Sequence, residues 1–308
     1  MSAANVDAVI IGGGPAGLSA ALVLGRCRRD VVVFDDGRYR NARAKHLRAF
    51  LTRDQIAPAK LRELARDDLG RYPTVRFSDA RVTEVRRVER NFVVSSARGE
   101  IECRAVLVAT GFVDTLPDID GVDELDGDRV VPCPYCDAYE VAGEPLAVYS
   151  HPDDRGARYA FLLTQWSDDV VFCAPRRPVI GDELLARLAE RRVRIETREL
   201  RSVARDGDGL RLEFGEGEPL WRRTMFYHLG GRSASRFAAH LGAKLDENGN
   251  VVVDRRQESS IRGLYVAGDA SRDVFLSIVA AGEGTAAAVC MNQYLTGGEI
   301  YAEPTDHL

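Results

Sequence analysis

Two cysteines separated by two residues carry the plainest chemical signal in this sequence. Cys133 and Cys136 stand in the segment PCPYCDAYE. At this spacing the two sulfurs can close a small ring, and the local environment can lower the pKa of one thiol. A thiolate of this kind attacks a disulfide through a mixed disulfide, which the second sulfur then resolves. The pair therefore predicts thiol–disulfide redox chemistry.

Zinc binding is the alternative use of a paired-cysteine motif, and it needs two more ligands at similar spacing. The other four cysteines are isolated and the five histidines are scattered. We therefore expect no metal site. Six cysteines in 308 residues are also too few for a disulfide scaffold. In a reducing cytosol a close pair such as Cys133 and Cys136 is usually catalytic or metal-binding. We expect a cytoplasmic protein, because the sequence shows neither a membrane-spanning run nor a secretory-signal pattern.

A glycine-rich turn near the start of the chain predicts dinucleotide binding. The segment VDAVIIGGGPAGLSAALVLG has the order of a buried strand, a turn and a helix. Gly12 permits the tight turn, Gly14 lets a diphosphate approach the backbone, and Gly17 lets the helix pack on the strand. Asp35, at the end of the second strand, can accept a hydrogen bond from a ribose hydroxyl. The N–H groups at the helix N-terminus favour an anion there.

The elements around these motifs predict an α/β fold of two dinucleotide-binding-type, three-layer domains, the second inserted into the first. The segments that begin DAVIIGGGPAG and LAVYSHPDDRG share the order strand, turn, helix, strand, as in a weak internal repeat. At FVDTLPDIDG the composition shifts to Asp, Pro and Gly, which indicates a crossing between domains. We expect residues 1–116 and 233–308, including a C-terminal tail, to form the first domain. Residues 117–232 would form the inserted domain, which carries the cysteine pair.

Composition argues against nucleic-acid and membrane partners. A net charge of −5 does not supply the basic face that nucleic acid requires. No apolar run reaches the roughly 18 to 20 residues that a membrane-spanning helix needs, and the N-terminus has no secretory-signal pattern. The segment 38–48 is locally basic. It can be a solvated loop or a contact to a cofactor phosphate.

Two further stretches indicate which dinucleotide is bound. VLVATG is a buried strand that ends in a small-residue turn, and GLYVAGDAS places Asp269 after another such strand, ahead of a helix. With GGGPAG, these stretches make essentially the whole chain resemble the two-domain flavoprotein disulfide reductases of the thioredoxin reductase type. The resemblance implies a homodimeric FAD enzyme in which all three turns hold FAD. Asp269 would bind the ribitol chain.

The resemblance also implies roles for individual residues. Cys136 is expected to face the flavin, Cys133 to exchange with the substrate, and Asp137 to shuttle a proton to the thiolate. The alternative for Asp137 is a helix cap. The expected FAD contacts are Gly12, Gly14, Pro15, Ala16, Gly17, Asp35, Asp36, Asn41, His46, Val82, Ala109, Thr110, Gly111, Gly268, Asp269 and Ile278.

Two other functions stay open. CPYC followed by YE also resembles the dithiol oxidases that close disulfides in natural products, although those commonly have His at the position of Asp137. The acid favours the reductase type, and an oxygen-dependent dithiol oxidase remains the alternative enzyme. A flavin-binding redox sensor without turnover is the alternative from a different class.

The inserted domain departs from the family at its own nucleotide turn. Aligned on the strand, the residues Ser150 to Arg155 take the place of a GxGxxA turn. Side chains at its first and third positions crowd the backbone that a diphosphate approaches. Two aspartates also face the anion at the helix start. We therefore expect no NADPH in the usual pose.

Electrons must then enter or leave by another route. Relatives that lack this turn suggest three options: a ferredoxin donor, a second flavin in the nicotinamide place, or oxygen as acceptor. The expected partner on the thiol side is a thioredoxin-like protein or a small dithiol or disulfide.

Overall fold

The computed structural model of the protein describes residues 4–271 and 274–297, so the C-terminal tail beyond residue 297 lies outside the described residues. The strands are β1 Ala4–Ile11, β2 Val31–Phe34, β3 Val75–Ser78, β4 Val82–Val88, β5 Asn91–Ser96, β6 Gly99–Val108, β7 Phe112–Asp114, β8 Val130–Val131, β9 Leu146–Ser150, β10 Val170–Cys173, β11 Arg194–Ile195, β12 Leu200–Asp206, β13 Gly209–Phe214, β14 Leu220–Arg222, β15 Thr224–His228, β16 Gly231–Ser233 and β17 Leu264–Val266. The helices are α1 Pro15–Arg26, α2 Pro58–Leu69, α3 Val122–Leu125, α4 Pro134–Asp137, α5 Asp154–Leu163, α6 Asp182–Glu190, α7 Phe237–His240 and α8 Ser277–Gly297, with 3-10 helices at Tyr139–Val141 and Gly268–Ala270. Within the described ranges no helix has both the length and the apolar character to cross a membrane.

The chain divides into two compact units. Unit 1 comprises the residues up to Ala42, the range Phe50–Val113 and the residues from Ser233 onward. Unit 2 comprises Asp114–Arg232 and a short earlier segment, Arg43–Ala49. We call Arg43–Ala49 the strap, because it is a short part of unit 2 that is preceded and followed in sequence by residues of unit 1.

The sheet of unit 1 brings the ends of three parallel strands together. Its order is β3-β2-β1-β6-β5-β4, and β17 also pairs with β6. The long strand β6 pairs antiparallel with β5 over its first half and parallel with β17 over its last residues. Ile11 pairs with Val108, and Val108 pairs with Val266. The turns that follow β1, β6 and β17 therefore start side by side.

Helices α1 and α8 cover one face of this sheet and cross closely because both are rich in small residues. A Cβ built on Gly284 of α8 would lie 2.0 Å from the carbonyl oxygen of Ala16 in α1. The buried alanines at this crossing include Ala16, Ala20, Ala21, Ala280, Ala287 and Ala288. The position of α1, and with it the glycine-rich turn at its start, depends on this contact.

Unit 2 contains a five-stranded parallel sheet in the order β11-β10-β9-β15-β8 and a three-stranded antiparallel sheet, β12-β13-β14. All five residues of β9 and all four of β10 are buried. They pack against α5 through Ala157, Ala160 and Leu163. This arrangement places the start of α5 at the carboxyl end of β9.

Carboxylates of unit 2 neutralise the basic strap. Arg43 lies 3.3 Å from Asp126, and Lys45 lies 2.6 Å from Asp128. Arg43 also donates a hydrogen bond to a backbone carbonyl oxygen of α3, at 2.8 Å. Arg43 and Lys45 of the locally basic segment 38–48 are therefore each paired with a carboxylate, although both side chains remain exposed to solvent.

Candidate active site

The glycine-rich turn of unit 1 leaves its helix N-terminus open. Gly14 is the N-cap residue of α1, and among the described residues no side chain caps this helix. A Cβ at Gly14 would meet nothing within 4 Å. At Gly12, where φ is +119°, it would lie 2.2 Å from the oxygen of Ala109, and at Gly17 it would lie 1.9 Å from the oxygen of Gly12. Backbone oxygens close the turn at Gly12 and Gly17, whereas the space at Gly14 is open, and this arrangement fits a diphosphate.

Asp35 follows β2 and is held as a buried carboxylate. Its Oδ2 accepts hydrogen bonds from the Tyr39 hydroxyl at 2.5 Å and from Arg66 at 2.7 Å, and its Oδ1 accepts one from the Gly37 N–H at 3.1 Å. Burial favours the neutral acid, but these donors together lower the pKa of Asp35. The carboxylate also lies against Gly13, where a Cβ would come within 2.1 Å of Oδ2. It is a charged acceptor beside the turn.

The turn after β17 is fixed by a carboxylate that no sequence motif indicates. The N–H of Gly268, where φ is +72°, donates to Glu283 Oε2 at 2.8 Å. Asp269 pairs with Arg40 at 3.2 Å, and the Arg40 guanidinium lies 4.4 Å from the centre of the Phe275 ring. An arginine, an aspartate and an aromatic ring therefore meet at the end of β17.

Several predicted FAD contacts converge within unit 1. Gly12 meets Ala109 as described, and a Cβ on Gly268 would lie 3.0 Å from the Cβ of Ala16. The Thr110 hydroxyl lies 2.8 Å from the hydroxyl of Ser235. The turns after β1, β6 and β17 thus form one continuous surface, and this donor and acceptor set fits FAD.

Other predicted contacts lie around this surface or away from it. Asp36 and Asn41 are on the loop after β2, where the Asn41 side-chain oxygen accepts a hydrogen bond from Arg62 at 3.3 Å. Val82 is a core residue of β4, and Ile278 is partly exposed at the start of α8. His46 lies on the strap and belongs to unit 2. Their contacts with FAD stay predictions.

The cysteine pair begins a short helix in unit 2. The sulfurs of Cys133 and Cys136 are bonded, and their Cα atoms are 5.3 Å apart. Cys133 is the N-cap of α4, and its carbonyl oxygen accepts hydrogen bonds from the N–H groups of Cys136 and Asp137, each at 3.2 Å. Asp137 is the last residue of α4 and caps neither that helix nor the following 3-10 helix. The capping alternative for Asp137 is therefore wrong.

The carboxyl of Asp137 is poised to hold a proton near neutral pH. Burial raises its pKa to about 6, the neighbouring Glu140 acts in the same direction, and Arg48 opposes both. A carboxyl with such a pKa can give up and regain a proton at physiological pH. Two tyrosines of the same segment are exposed: Tyr135, which lies between the two cysteines in sequence, is 62% exposed, and Tyr139 is 81% exposed.

The nucleotide turn of unit 2 has the same backbone plan as that of unit 1. Asp153 is the N-cap of α5, as Gly14 is of α1, and both have an extended backbone. A Cβ on Gly156 would lie 2.1 Å from the oxygen of His151, which is the relation that Gly17 has to Gly12. The last glycine of the motif is therefore kept in unit 2.

This geometry corrects the sequence alignment by one residue. The positions of GxGxxG correspond to His151, Asp153 and Gly156, because β9 extends through Ser150 just as β1 extends to the residue before Gly12. The side chains at the first and middle positions are thus a histidine and an aspartate. Crowding at those two positions remains.

Asp153 closes the start of α5 with its own carboxylate. Its Oδ1 accepts a hydrogen bond from the backbone N–H of Arg155 at 2.9 Å, and its Oδ2 accepts one from the Arg155 guanidinium at 2.7 Å. Because the helix N-terminus is where a diphosphate would bind, the carboxylate occupies the donor that the phosphate needs. The Asp153 carboxylate is therefore the anion bound at the start of α5.

Two dinucleotide-binding-type units, an open diphosphate turn and a bonded cysteine pair beside an acid define a flavin-linked disulfide oxidoreductase. The family model of pyridine nucleotide-disulphide oxidoreductases matches residues 6–152 and 165–285. This chain belongs to that family.

Individual relatives agree with this assignment. Thioredoxin reductase tcpT of Claviceps purpurea is 31% identical over 87% of this chain and 88% of its own length. The crystal structure of HlmI superposes with a TM-score of 0.89, at 35% identity, over 96% of this chain and 94% of that one. An oxidoreductase from Agrobacterium tumefaciens superposes with a TM-score of 0.88, at 29% identity, over 97% and 100%.

The predicted fold class, the thioredoxin reductase-like resemblance and the enzyme class are confirmed. The protein is a flavoprotein that carries out FAD-dependent disulfide oxidoreduction.

Proposed function

We propose that this enzyme passes electrons between FAD and the Cys133–Cys136 pair without using NADPH. The contrast between the starts of α1 and α5 carries the proposal. One has no side-chain cap among the described residues and open space at its middle glycine, whereas the other is capped by Asp153. A carboxylate there repels a diphosphate and already uses a backbone donor.

The same proposal assigns the thiol chemistry. Cys136 exchanges electrons with the flavin, and the Cys133 thiolate attacks an external disulfide to form a mixed disulfide. Asp137 protonates the thiolate that leaves, and Cys136 then attacks Cys133 to release the second thiolate and restore the internal disulfide. In the opposite direction an external dithiol is oxidised, and two electrons pass to the flavin. The sixteen FAD contacts predicted from the sequence are part of this proposal.

The test is anaerobic mixing of the purified holoenzyme with NADPH and then NADH, while the visible flavin absorption is followed. We expect the band to stay oxidised, and dithionite to bleach it as the positive control. Rapid bleaching by either nucleotide would refute NADPH independence. Serine variants of both cysteines separate the enzyme from a sensor, because a catalyst loses thiol–disulfide turnover and keeps its FAD.

An oxygen-dependent dithiol oxidase is the second candidate. The closed turn at Asp153 favours it, because oxygen needs no nucleotide site to accept electrons. Oxygen uptake and peroxide release with a small dithiol would support the oxidase. Reduction of the flavin by photoreduced ferredoxin, or the recovery of a second flavin per chain, would support the other routes.

The proposal extends to partner and location. The external substrate is a thioredoxin-like protein or a small dithiol or disulfide, and the enzyme acts as a homodimer in the cytoplasm. Of the six cysteines, all within the described residues, four are thiols: Cys27, Cys103, Cys173 and Cys290. Thiols in this number suit a reducing compartment.

A further inference from the structure

The strap places a nearly buried arginine, Arg48, next to the segment that carries the cysteine pair. The Arg48 side chain is 15% exposed, and its Nε lies 3.1 Å from Oε1 of Glu140. This contact is an ion pair without hydrogen-bond geometry. Both Nε and Nη1 of Arg48 are buried, and neither donates a hydrogen bond to any described residue. The N–H groups on Nε and Nη1 therefore remain able to donate hydrogen bonds.

Glu140 and Asp137 lie on the same side of one helical segment. The helix α4 ends at Asp137, Ala138 has helical dihedral angles, and Glu140 is in the 3-10 helix that follows at once. Residues three apart in such a segment are neighbours on its surface. Glu140 from this segment and Arg48 from the strap are the charged groups acting on Asp137 among the described residues. The paired sulfurs of Cys133 and Cys136 carry no charge.

The strap itself is anchored, so Arg48 is not the tip of a loose loop. The ion pairs of Arg43 with Asp126 and of Lys45 with Asp128 tie it to unit 2 on the N-terminal side of Arg48. All of these residues belong to unit 2. The guanidinium forms an ion pair with Glu140, and its charge also acts to lower the pKa of Asp137.

We propose that Arg48 and Glu140 are a positioning pair that controls the proton of Asp137. The inference rests on the proposed role of Asp137 as the acid. When Asp137 protonates a leaving thiolate, one proton moves from the carboxyl to sulfur, and one negative charge moves from sulfur to the carboxylate. Arg48 then compensates the Asp137 carboxylate with its unused N–H groups. Glu140 draws the guanidinium back into their ion pair, and the proton affinity of Asp137 is restored because that compensation is lost.

The test measures the titration of Asp137 directly in the holoenzyme. The protein is labelled with ¹³C at aspartate side-chain carboxyls, and the Asp137 signal is assigned by its loss in Asp137→Asn. We expect Arg48→Gln to raise the titration midpoint by about one pH unit, because a compensating charge is removed. We expect Glu140→Gln to lower it by a similar amount, and Arg48→Lys to stay near the wild type.

Arg43→Gln is the matched control, since it removes another strap arginine and its ion pair. An equal shift in Arg43→Gln would show that loosening the strap is the cause, and it would overturn the proposal. Unchanged midpoints would overturn it as well. The Glu140 side chain is 37% exposed, so Glu140→Gln should fold. The test therefore remains decisive even if Arg48→Gln fails to fold. Failure of the proposed function is distinguishable, because Asp137→Asn would then keep full turnover whatever the titrations show.

Discussion

The carboxylate of Asp153 accepts a hydrogen bond from the backbone N–H of Arg155 at 2.9 Å, in the first turn of α5. The matching turn of α1 starts at Gly14 and has no side-chain cap among the described residues. Two copies of one strand–turn–helix plan thus present opposite surfaces to an anion. In unit 1 the backbone donors at the helix start have no side-chain acceptor among the described residues. In unit 2 the Asp153 carboxylate already accepts from one of the corresponding donors.

Opening the turn of unit 2 should create nicotinamide binding. The double variant His151→Gly, Asp153→Gly removes both side chains from the glycine positions of the motif. Replacing a capping aspartate by glycine costs only a few tenths of a kcal/mol, so the fold should persist. We expect the dissociation constant for NADPH, measured by calorimetry, to fall at least about tenfold, which is about 1.4 kcal/mol.

Charge and crowding can be separated at the same helix start. Asp154 is the first residue of α5, and its Oδ1 accepts a hydrogen bond from the N–H of Gly181 at 2.9 Å. Asp154→Asn removes one negative charge there and leaves the side chain of Asp153 in place. We expect its gain in NADPH affinity to be much smaller than that of the double variant, because the turn stays closed by Asp153. Equal gains in both variants would show that net charge, and not the closed turn, excludes the nucleotide.

Alanine at Gly14 should separate cofactor binding from folding. Its backbone angles, φ −79° and ψ −177°, suit any residue, and a Cβ there meets nothing within 4 Å. We expect the apoprotein to lose about 1 kcal/mol or less of unfolding free energy, as for an N-cap change from glycine. FAD affinity should fall at least about tenfold, because the methyl group lies where a diphosphate approaches.

Gly17→Ala provides the contrast, since a Cβ there would lie 1.9 Å from a backbone oxygen. We expect the apoprotein itself to be destabilised by about 1–3 kcal/mol, as in overpacked sites. Denaturant unfolding of the apoprotein and quenching of FAD fluorescence measure the two effects. Wild-type FAD affinity in Gly14→Ala would contradict the assignment of this turn.

Two glycines of α8 should respond to alanine in opposite directions. Gly282 is exposed and has open space around it, whereas a Cβ on Gly284 would lie 2.0 Å from the oxygen of Ala16. We expect Gly282→Ala to raise the unfolding free energy by about 1 kcal/mol, because alanine favours a helix interior. Gly284→Ala should lower it by about 1–3 kcal/mol, because α1 and α8 must separate. Similar changes in both variants would show that the crossing is looser than described.

Features with a local cause were predictable from the sequence. The glycines at positions 12 and 17 are required by the turn itself, and buried apolar runs identified β1, β6 and β17. The partners of Asp35 were not predictable in the same way. Tyr39 and Arg66 reach that carboxylate from a loop and from α2, and nothing in their spacing indicates a common target.

Two other features depend on tertiary structure. The strap joins unit 2 through ion pairs with residues that lie far along the chain, so a local basic run gave no sign of its place. The alignment of the unit 2 turn was one residue early because Ser150 is polar yet ends β9 as a fully buried residue. Its hydroxyl donates to the carbonyl oxygen of His228 at 2.6 Å, which a strand pattern does not reveal.

The stability of the protein should fall with rising pH through the titration of Asp137. Its pKa in the folded state is about 6, against an ordinary value of 3.8. Since the folded state binds this proton more tightly, the stabilisation is complete below about pH 4 and is lost as the pH rises through 6. Relative to Asp137→Asn, the wild-type unfolding free energy should drop on the order of 2 kcal/mol between pH 4 and pH 7.

Asp246→Asn is a control of opposite sign, because hydrogen bonds from the Asn250 and Asn248 backbone lower the pKa of Asp246. Its stabilisation should be present above about pH 4 and lost on acidification. Chemical unfolding of the apoproteins at a series of pH values measures both. A pH-independent difference between the wild type and Asp137→Asn would rule out the raised pKa.

Alkylation should distinguish the redox pair from the other four thiols. Cys27 is exposed, whereas Cys103 and Cys173 are buried, and burial raises the pKa of each to about 12. At pH 8 roughly one in ten thousand of such thiols is ionised, so they should not react with iodoacetamide in the folded protein. The oxidised enzyme should therefore take one fast label, at Cys27.

After reduction, Cys133 and Cys136 should add two further fast labels. Cys290 is partly buried, and burial raises its pKa, so it should react slowly in both states. Peptide mass mapping after a short exposure locates the labels, and the double serine variant of the redox pair should show one fast label before and after reduction. Fast labelling of Cys133 and Cys136 without reductant would mean that the pair is not held as a disulfide, because bonded sulfurs do not react with iodoacetamide.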